Sequence, residues 1–200
     1  PSFFGQHNFV SAPVGSSPQA TPNPNEFQWS SSPKQEEEIH VPVLRSVLCT
    51  MIQPNLTVLC LKNLSSLNSV SQNVFEEFRG FLTSALPLLP RLASLTLCSH
   101  NSRNSLPQCT DEHLALLGLH CHHLHYLDVS FNKGVTGEGV RKLVPGPGMP
   151  GCPGLTRLLL FDCAVFEKEL ARVVPALPLL EYLGYKETGK VIKSLHRAVE

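Results

Sequence analysis

The sequence predicts an α/β fold in which strand-and-helix units stack into a solenoid, a short horseshoe-shaped arc with parallel strands on its concave face and helices on its convex face. Two observations predict it. The pattern Leu-x-x-Leu-x-Leu, with a few replacements, occurs five times among 200 residues, and helical spacing of apolar residues follows each of the first four copies. A single unit of this kind cannot bury its own apolar face, so neighbouring units must stack around a continuous core.

Each copy of the pattern predicts one strand, because alternation along a strand places the leucines of the pattern on one face. The copies begin at Leu56, Leu92, Leu124, Leu155 and Leu180, with separations of 36, 32, 31 and 25 residues. These intervals are irregular but lie within the range that loop insertions allow. The spacing indicates about five divergent repeats, and because a polar C-terminal cap is not obvious, we expect the array to be truncated.

Four segments predict helices. The first is 70–85, where apolar residues recur at helical spacing until a proline follows. The second and third begin after Thr110 and Thr136, residues of a type that caps helices, with an acidic residue close behind. The fourth is 167–176, which prolines end. Residues 145–154, rich in Pro and Gly, are expected to form an insertion loop before the fourth strand.

Residues 1–35 are predicted to be a disordered tail, because they are rich in Ser, Pro and Asn and their apolar residues follow no period. The folded domain is predicted to cover 36–200 and to start with a helical pattern near Glu36, whose first turn must accommodate Pro42. Aromatic residues in the tail could form a short docking motif. The alternative, which composition favours, is that they make residual contacts with the folded domain or have no role. They are Phe3, Phe4, Phe9, Phe27 and Trp29.

Composition excludes several classes of function. The 16 basic residues balance 16 acidic ones, so the sequence lacks the basic surface that binds nucleic acid or anionic membranes. No apolar run approaches the roughly 20 residues that cross a bilayer. The seven cysteines show no paired CxxC spacing, which predicts free thiols and a cytoplasmic or nuclear protein. The sequons at Asn55 and Asn63 are weak indications of secretion instead.

Two copies of the pattern carry a more specific motif. Cys121-x-x-Leu124-x-x-Leu127-x-Val129-x-x-Asn132 and Cys152-Pro153-Gly154-Leu155-x-x-Leu158-x-Leu160-x-x-Cys163 resemble the cysteine-containing leucine-rich repeat of F-box and leucine-rich-repeat proteins. The resemblance covers roughly residues 50 to 188, as judged by the repeat period. The sequence departs from the family pattern in its first copy and at His113, where the family has Gly.

This resemblance implies a leucine-rich-repeat solenoid that recognises a protein partner, and in the family this is the substrate-selecting part of a cullin-type ubiquitin ligase. No F-box is recognisable in the chain, so the resemblance implies that a cullin-ligase adaptor binds through regions outside it. A scaffold or signalling adaptor with the same fold and no ligase is the alternative. Neither hypothesis makes the protein an enzyme, and neither requires a cofactor.

The candidate binding surface is the concave face, where the side chains between the inward leucines point outward. Its third to fifth strands concentrate Tyr and Arg, residue types enriched among interface hot spots. The alternative is that Leu159 and Phe161 are covered by a neighbouring loop or by further repeats. The candidate partner-binding residues are Tyr126, Asp128, Arg157, Leu159, Phe161, Tyr182 and Lys186.

The most conspicuous polar cluster is His120-Cys121-His122-His123-Leu124-His125. Thiolate and imidazole are zinc ligands, but structural zinc sites need four ligands, usually in two separated pairs, and this spacing supplies no second pair. The repeat pattern also turns Cys121 inward, where a free cysteine behaves as a small apolar residue. We therefore expect no metal site, and a zinc-dependent enzyme is the weakest of the three hypotheses. No motif of a serine hydrolase or a phosphate-binding loop occurs.

Overall fold

The computed structural model describes residues 26–30, 46, 49–50, 52–62, 72–98, 109–185 and 193–196. At 26–30, 72–75, 77 and 193–196 it describes the backbone alone. The predicted start of the folded domain near Glu36, the first 25 residues of the predicted tail and the candidate residue Lys186 lie outside the described residues.

The described strands form one seven-stranded sheet whose order follows the chain. They are β1 (Glu26–Ser30), β2 (Val58–Lys62), β3 (Ser94–Cys98), β4 (Tyr126–Asp128), β5 (Arg157–Leu160), β6 (Tyr182–Tyr185) and β7 (Lys193–His196). Strands β1 to β6 pair in parallel, and β7 is antiparallel to β6. Parallel neighbours need crossover connections, and here the crossovers carry helices, so the predicted α/β class is confirmed.

Strand β1 corrects the predicted limits of the tail. The sequence predicts disorder for residues 26–30, but they form a strand that pairs with β2. Their residues, Glu-Phe-Gln-Trp-Ser, alternate polar and apolar types as a strand with one buried face does. Phe27 and Trp29 are the register partners of the core residues Leu59 and Leu61. The sequence does not predict this strand because only five residues alternate, within a segment of 35 residues whose composition is typical of disorder.

The four helices that the sequence predicts from residue 70 onwards are present, but some are shorter. They are α1 (Gln72–Ala85), α2 (Asp111–His120), α3 (Gly137–Arg141) and α4 (Glu167–Val173). Helix α4 gives way to a 3-10 turn at Val174–Ala176, because Pro175 has no N–H to donate to an α-helical carbonyl. None of the helices that the structure describes is long and apolar enough to span a membrane.

The leucines of the repeated pattern form the core together with the inner faces of the helices. The buried leucines of the strands are Leu59, Leu61, Leu95, Leu97, Leu127, Leu158, Leu160 and Leu183. They belong to one cluster with helix residues such as Leu82, Leu114, Val140 and Leu170. Burying one leucine stabilises the fold by roughly 1.5–3 kcal/mol, so the pattern itself determines which face of the sheet meets the helices.

Buried cysteines link neighbouring repeats. The Sγ atom of Cys121 lies 3.5 Å from the carbonyl oxygen of Leu89, and that of Cys152 lies 3.6 Å from the carbonyl oxygen of Cys121. The Sγ atom of Cys163 lies 3.2 Å from the carbonyl oxygen of Val129. Each thiol thus donates to the backbone of the preceding repeat. All seven cysteines are free thiols.

Two polar side chains make stronger links of the same kind. Asn132 is fully buried; its Nδ2 donates to the Leu97 carbonyl at 2.7 Å and its Oδ1 accepts the Cys109 N–H at 2.9 Å. The carboxylate of Asp111 accepts from the backbone N–H and the hydroxyl of Thr136, at 2.7 and 2.6 Å. Because buried hydrogen-bond partners must match in position, these bonds fix how successive repeats stack.

Candidate functional site

The side chains that alternate with the core leucines lie on the other face of the sheet, which we call the open face. In β2, Leu59 and Leu61 are buried, whereas Lys62 is exposed. The open face consists of Val58, Cys60, Lys62, Ser94, Thr96, Cys98, Tyr126, Asp128, Arg157, Leu159, Tyr182 and Gly184. The parallel register arranges these residues in rows that run across the sheet.

The structure brings six of the seven candidate residues together. Tyr126, Arg157 and Tyr182 are register partners and form one row. Asp128 and Leu159 are partners in the next row, and Phe161 directly follows β5. Their arrangement agrees with the strand pattern from which they were inferred, and their role in binding stays a prediction.

Some positions that alternation places on the open face are buried. Thr96 is 6% exposed, and the equivalent position just beyond β4, Ser130, is 2% exposed. Gly184 is also buried, because neighbouring side chains cover it. Alternation predicts the face on which a side chain lies but not whether neighbouring side chains cover it. The accessible part of the open face is therefore smaller than the strand pattern implies.

Phe161 and Leu159 lean together over Gly184 on the adjacent strand. A Cβ atom built on Gly184 would lie 2.6 Å from Cζ of Phe161 and 2.7 Å from Cδ2 of Leu159. Real Cβ atoms do not approach carbon atoms so closely, so the two side chains can rest here only because residue 184 has none. Both remain partly exposed, and together they form a low apolar patch beside Arg157.

Charge on the open face comes from few groups. Burial raises the pKa of Tyr126 and the nearby Asp128 raises it further, while Arg157 opposes the shift. Burial likewise raises the pKa of Cys98 to about 11. Phenol and thiol are therefore neutral at pH 7, so among the open-face side chains that the structure describes the acidic and basic residues are Lys62, Asp128 and Arg157. Arg157 is exposed and takes no part in the ion pairs found among the described residues.

A backbone N–H just beyond the end of β4 holds the side chain of Asp128 in place. Its Oδ1 accepts the backbone N–H of Ser130 at 3.0 Å. The side chain is half-buried beside Tyr126. A carboxylate fixed in this way loses little side-chain entropy when a partner binds it, which makes it a suitable polar anchor next to an apolar patch.

Sequence reasoning missed two phenylalanines near the carboxyl ends of β4 and β5. Phe131 has a positive φ of 66°, and Asp162, at the same place in the next repeat, has 53°. A bulky residue in this conformation is unusual, whereas Asp tolerates it. Phe166 is the N-cap of α4 and is 53% exposed, although Thr110 and Thr136 cap the two preceding helices. Aligning the repeats by position would have revealed both exceptions.

The histidine cluster does not form a metal site in the part of the chain that the structure describes, where no group of three or more His, Cys, Asp and Glu side chains could hold an ion. His122, His123 and His125 are exposed, whereas Cys121 is buried in the core. The Nδ1 atom of His122 lies 3.3 Å from the carbonyl oxygen of Gly151 and donates to it. This bond links the insertion loop at 145–154 to the turn before β4.

A cavity of about 370 Å³ lies on the helical side of the structure, not on the open face. It is lined by Cys49, Ile52, Gly80, Phe81, Ser84, Ala85 and Leu88. The hydroxyl of Ser84 already donates to the Gly80 carbonyl at 2.8 Å. The lining therefore offers little beyond apolar contact.

Comparison with known families identifies one segment. Residues 120–144 match the model of a family described as "Leucine Rich repeat". They run from the last residue of α2 through β4 and α3, so the match coincides with one strand-and-helix unit. The leucine-rich-repeat resemblance is thereby confirmed for this unit. A search of curated proteins found no match to the chain.

Proposed function

We propose that this chain is a protein-recognition module, a leucine-rich-repeat solenoid whose open face is the concave surface of a short arc and binds a protein partner. One observation carries the proposal: the register aligns Tyr126, Arg157 and Tyr182 in one row beside the patch of Leu159 and Phe161. Tyr and Arg around an apolar centre are typical of interface hot spots. The leucine-rich-repeat match supports the same class of function.

We further propose that the protein is not an enzyme and uses no cofactor. The thiols of Cys121, Cys152 and Cys163 are buried and bonded to backbone carbonyls, and burial raises the pKa of each to about 12. A nucleophilic cysteine needs a lowered pKa and access to substrate. These residues therefore have structural roles.

More specifically, we propose that the module selects substrates for a cullin-type ubiquitin ligase in the cytoplasm or nucleus, with the adaptor bound by regions outside this chain. The support is the resemblance of the Cys121 and Cys152 repeats to those of F-box and leucine-rich-repeat proteins. Immunoprecipitation of the full-length protein should recover a cullin adaptor. Recovery of other partners without any adaptor would contradict the ligase role and favour a scaffold or signalling adaptor.

The open-face proposal has its own test. Affinity enrichment would compare the wild type with Arg157→Glu/Phe161→Ala and with Arg172→Glu, a control on an exposed residue of α4. Because truncating one hot-spot residue costs about 2 kcal/mol or more, we expect the double variant to bind the partner at least about 30-fold more weakly. The control should bind as the wild type does. Equal recovery by all three proteins would contradict binding through the open face.

A further inference from the structure

His113 is a fully buried histidine at the joint between two repeats. It is the third residue of α2, and its Nδ1 accepts the backbone N–H of Thr110 at 3.1 Å. Its Nε2 lies 3.3 Å from the carbonyl oxygen of Arg79 on α1. A carbonyl can only accept, so Nε2 carries the proton and the ring is the neutral tautomer with a free lone pair on Nδ1.

The next repeat shows why a histidine fits only here. Gly139 is the third residue of α3, the position that His113 has in α2. A Cβ atom at Gly139 would collide with the side chain of Asp111, which lies on the preceding helix. At His113 the preceding helix instead presents the Arg79 carbonyl. Helices α2 and α3 thus pack closely at Gly139, whereas α1 and α2 are joined by the hydrogen bond of the His113 ring.

We propose that His113 is an acid-sensitive latch between α1 and α2, and that protonating it opens this joint. An imidazolium ring has N–H groups on both nitrogens, so Nδ1 could no longer accept the Thr110 N–H. The new Nδ1–H could reach the Thr110 hydroxyl oxygen, 3.0 Å away, but the Thr110 N–H would lose its acceptor. The Nε2–H would still donate to the Arg79 carbonyl, so the joint would open because a fully buried ring would carry a positive charge.

Burial, and not the charged groups around the ring, is the main reason that the pKa of His113 is lowered. Among the described residues, those that face His113 are Arg79 on α1 and Glu112 on its own helix. The hydrogen bond to the Arg79 carbonyl and the charge of Glu112 oppose the effect of burial, and the guanidinium of Arg79, the smallest of these influences, adds to it. Glu76 does not add a free carboxylate, since it pairs with Arg79 at 3.1 Å.

The direction of the pH effect follows from linkage. In the unfolded chain His113 titrates near its ordinary pKa of about 6.5, and in the folded state its pKa is lower. The unfolded or opened form therefore binds the proton first. The contribution of the latch is fully present above pH 6.5 and is lost as the pH falls below it, by up to about tenfold in the closing equilibrium for each pH unit.

The test is hydrogen exchange of the whole chain at pH 7.5 and 5.5, corrected for intrinsic rates, in three proteins. The wild type should lose up to about tenfold in protection at the start of α2 at pH 5.5, while α4 keeps its protection. His113→Gln should keep it at both pH values, because Gln suits the third position of a capping box and does not titrate. His123→Gln, on an exposed turn residue, should behave as the wild type does.

Two results would overturn the latch. One is an equal loss of protection in His113→Gln and in the wild type, which would assign the pH dependence to other groups. The other is an imidazole NMR titration in which His113 has its ordinary pKa near 6.5 while α2 stays protected. The titration uses the wild type, so it decides the matter even if the variant does not fold.

Discussion

The ring of Phe161 occupies the space that any side chain at position 184 would need. Its Cζ atom lies 2.6 Å from the ideal Cβ position of Gly184, on the neighbouring strand. Because Gly184 has no side chain, the ring of Phe161 can pack close to the sheet, and part of the ring remains accessible. The shape of the proposed binding patch depends on a residue with no side chain of its own.

Gly184→Ala should therefore disrupt this patch. The new methyl group must displace Phe161 or Leu159, and overpacking of this kind costs about 1–3 kcal/mol. We expect a lower unfolding free energy in urea and weaker partner binding. Gly80→Ala is the matched control, because a Cβ there meets nothing within 4 Å. On α1 it should stabilise the protein by up to about 1 kcal/mol. Equal stability of Gly184→Ala and the wild type would show that the two side chains move freely.

The buried cysteines should resist alkylation in the native protein. Burial raises the pKa of Cys121, Cys152 and Cys163 to about 12, and only the thiolate reacts rapidly. With iodoacetamide at pH 8, mass spectrometry should find Cys49, which is exposed, modified long before these three. All cysteines should react after denaturation. Rapid native modification of Cys152 would mean that the joint between repeats opens far more often than the structure implies.

Asn132 should be among the most sensitive polar residues of the fold. Asn132→Ala leaves the buried Cys109 N–H and Leu97 carbonyl without their side-chain partner, and each unsatisfied buried group costs about 1–3 kcal/mol. We expect a loss of about 2–6 kcal/mol in unfolding free energy. Lys133→Ala, which alters the adjacent exposed residue, should change stability by less than about 0.5 kcal/mol. Similar effects of the two variants would contradict this assignment.

At the exposed position 166, the N-cap of α4, threonine should stabilise the protein more than alanine does. Threonine at an N-cap can accept a hydrogen bond from the first turn, as Thr136 accepts the Glu138 N–H at 3.2 Å. Phe166→Thr should be more stable than Phe166→Ala by about 1 kcal/mol, which thermal unfolding of the pair can measure. The alanine variant controls for the loss of the ring. No difference between the two would show that α4 does not use this cap.

Sequence predicts the repeat architecture well, because burial of leucine is a strong and periodic signal. Leu59, Leu95, Leu127 and Leu158 all lie in the core where the pattern places them. Strand β1 was missed because only five residues alternate there, within a segment whose composition is typical of disorder. Local periodicity is informative only when the segment is long enough to stand out from its surroundings.

The site was predicted less completely than the fold. Alternation placed Tyr126 and Arg157 in one row, as the register shows, but it could not show that Phe161 covers Gly184 or that Ser130 is buried. Those features depend on contacts between side chains of neighbouring strands. Such contacts leave no periodic pattern in the sequence. The role of His113 was hidden for the same reason, since its acceptor on α1 is 34 residues away in sequence.

Site-specific photo-crosslinking in cells tests the central claim most directly. A photoreactive amino acid would replace Ser94, which lies beside Tyr126 in the same row of the open face, in one protein and the exposed Arg172 on α4 in another. The account predicts a discrete crosslinked protein from position 94, none of it from position 172, and its loss when Phe161→Ala is added. Crosslinks of the same protein from position 172 alone, or from position 94 regardless of Phe161, would contradict recognition through the open face.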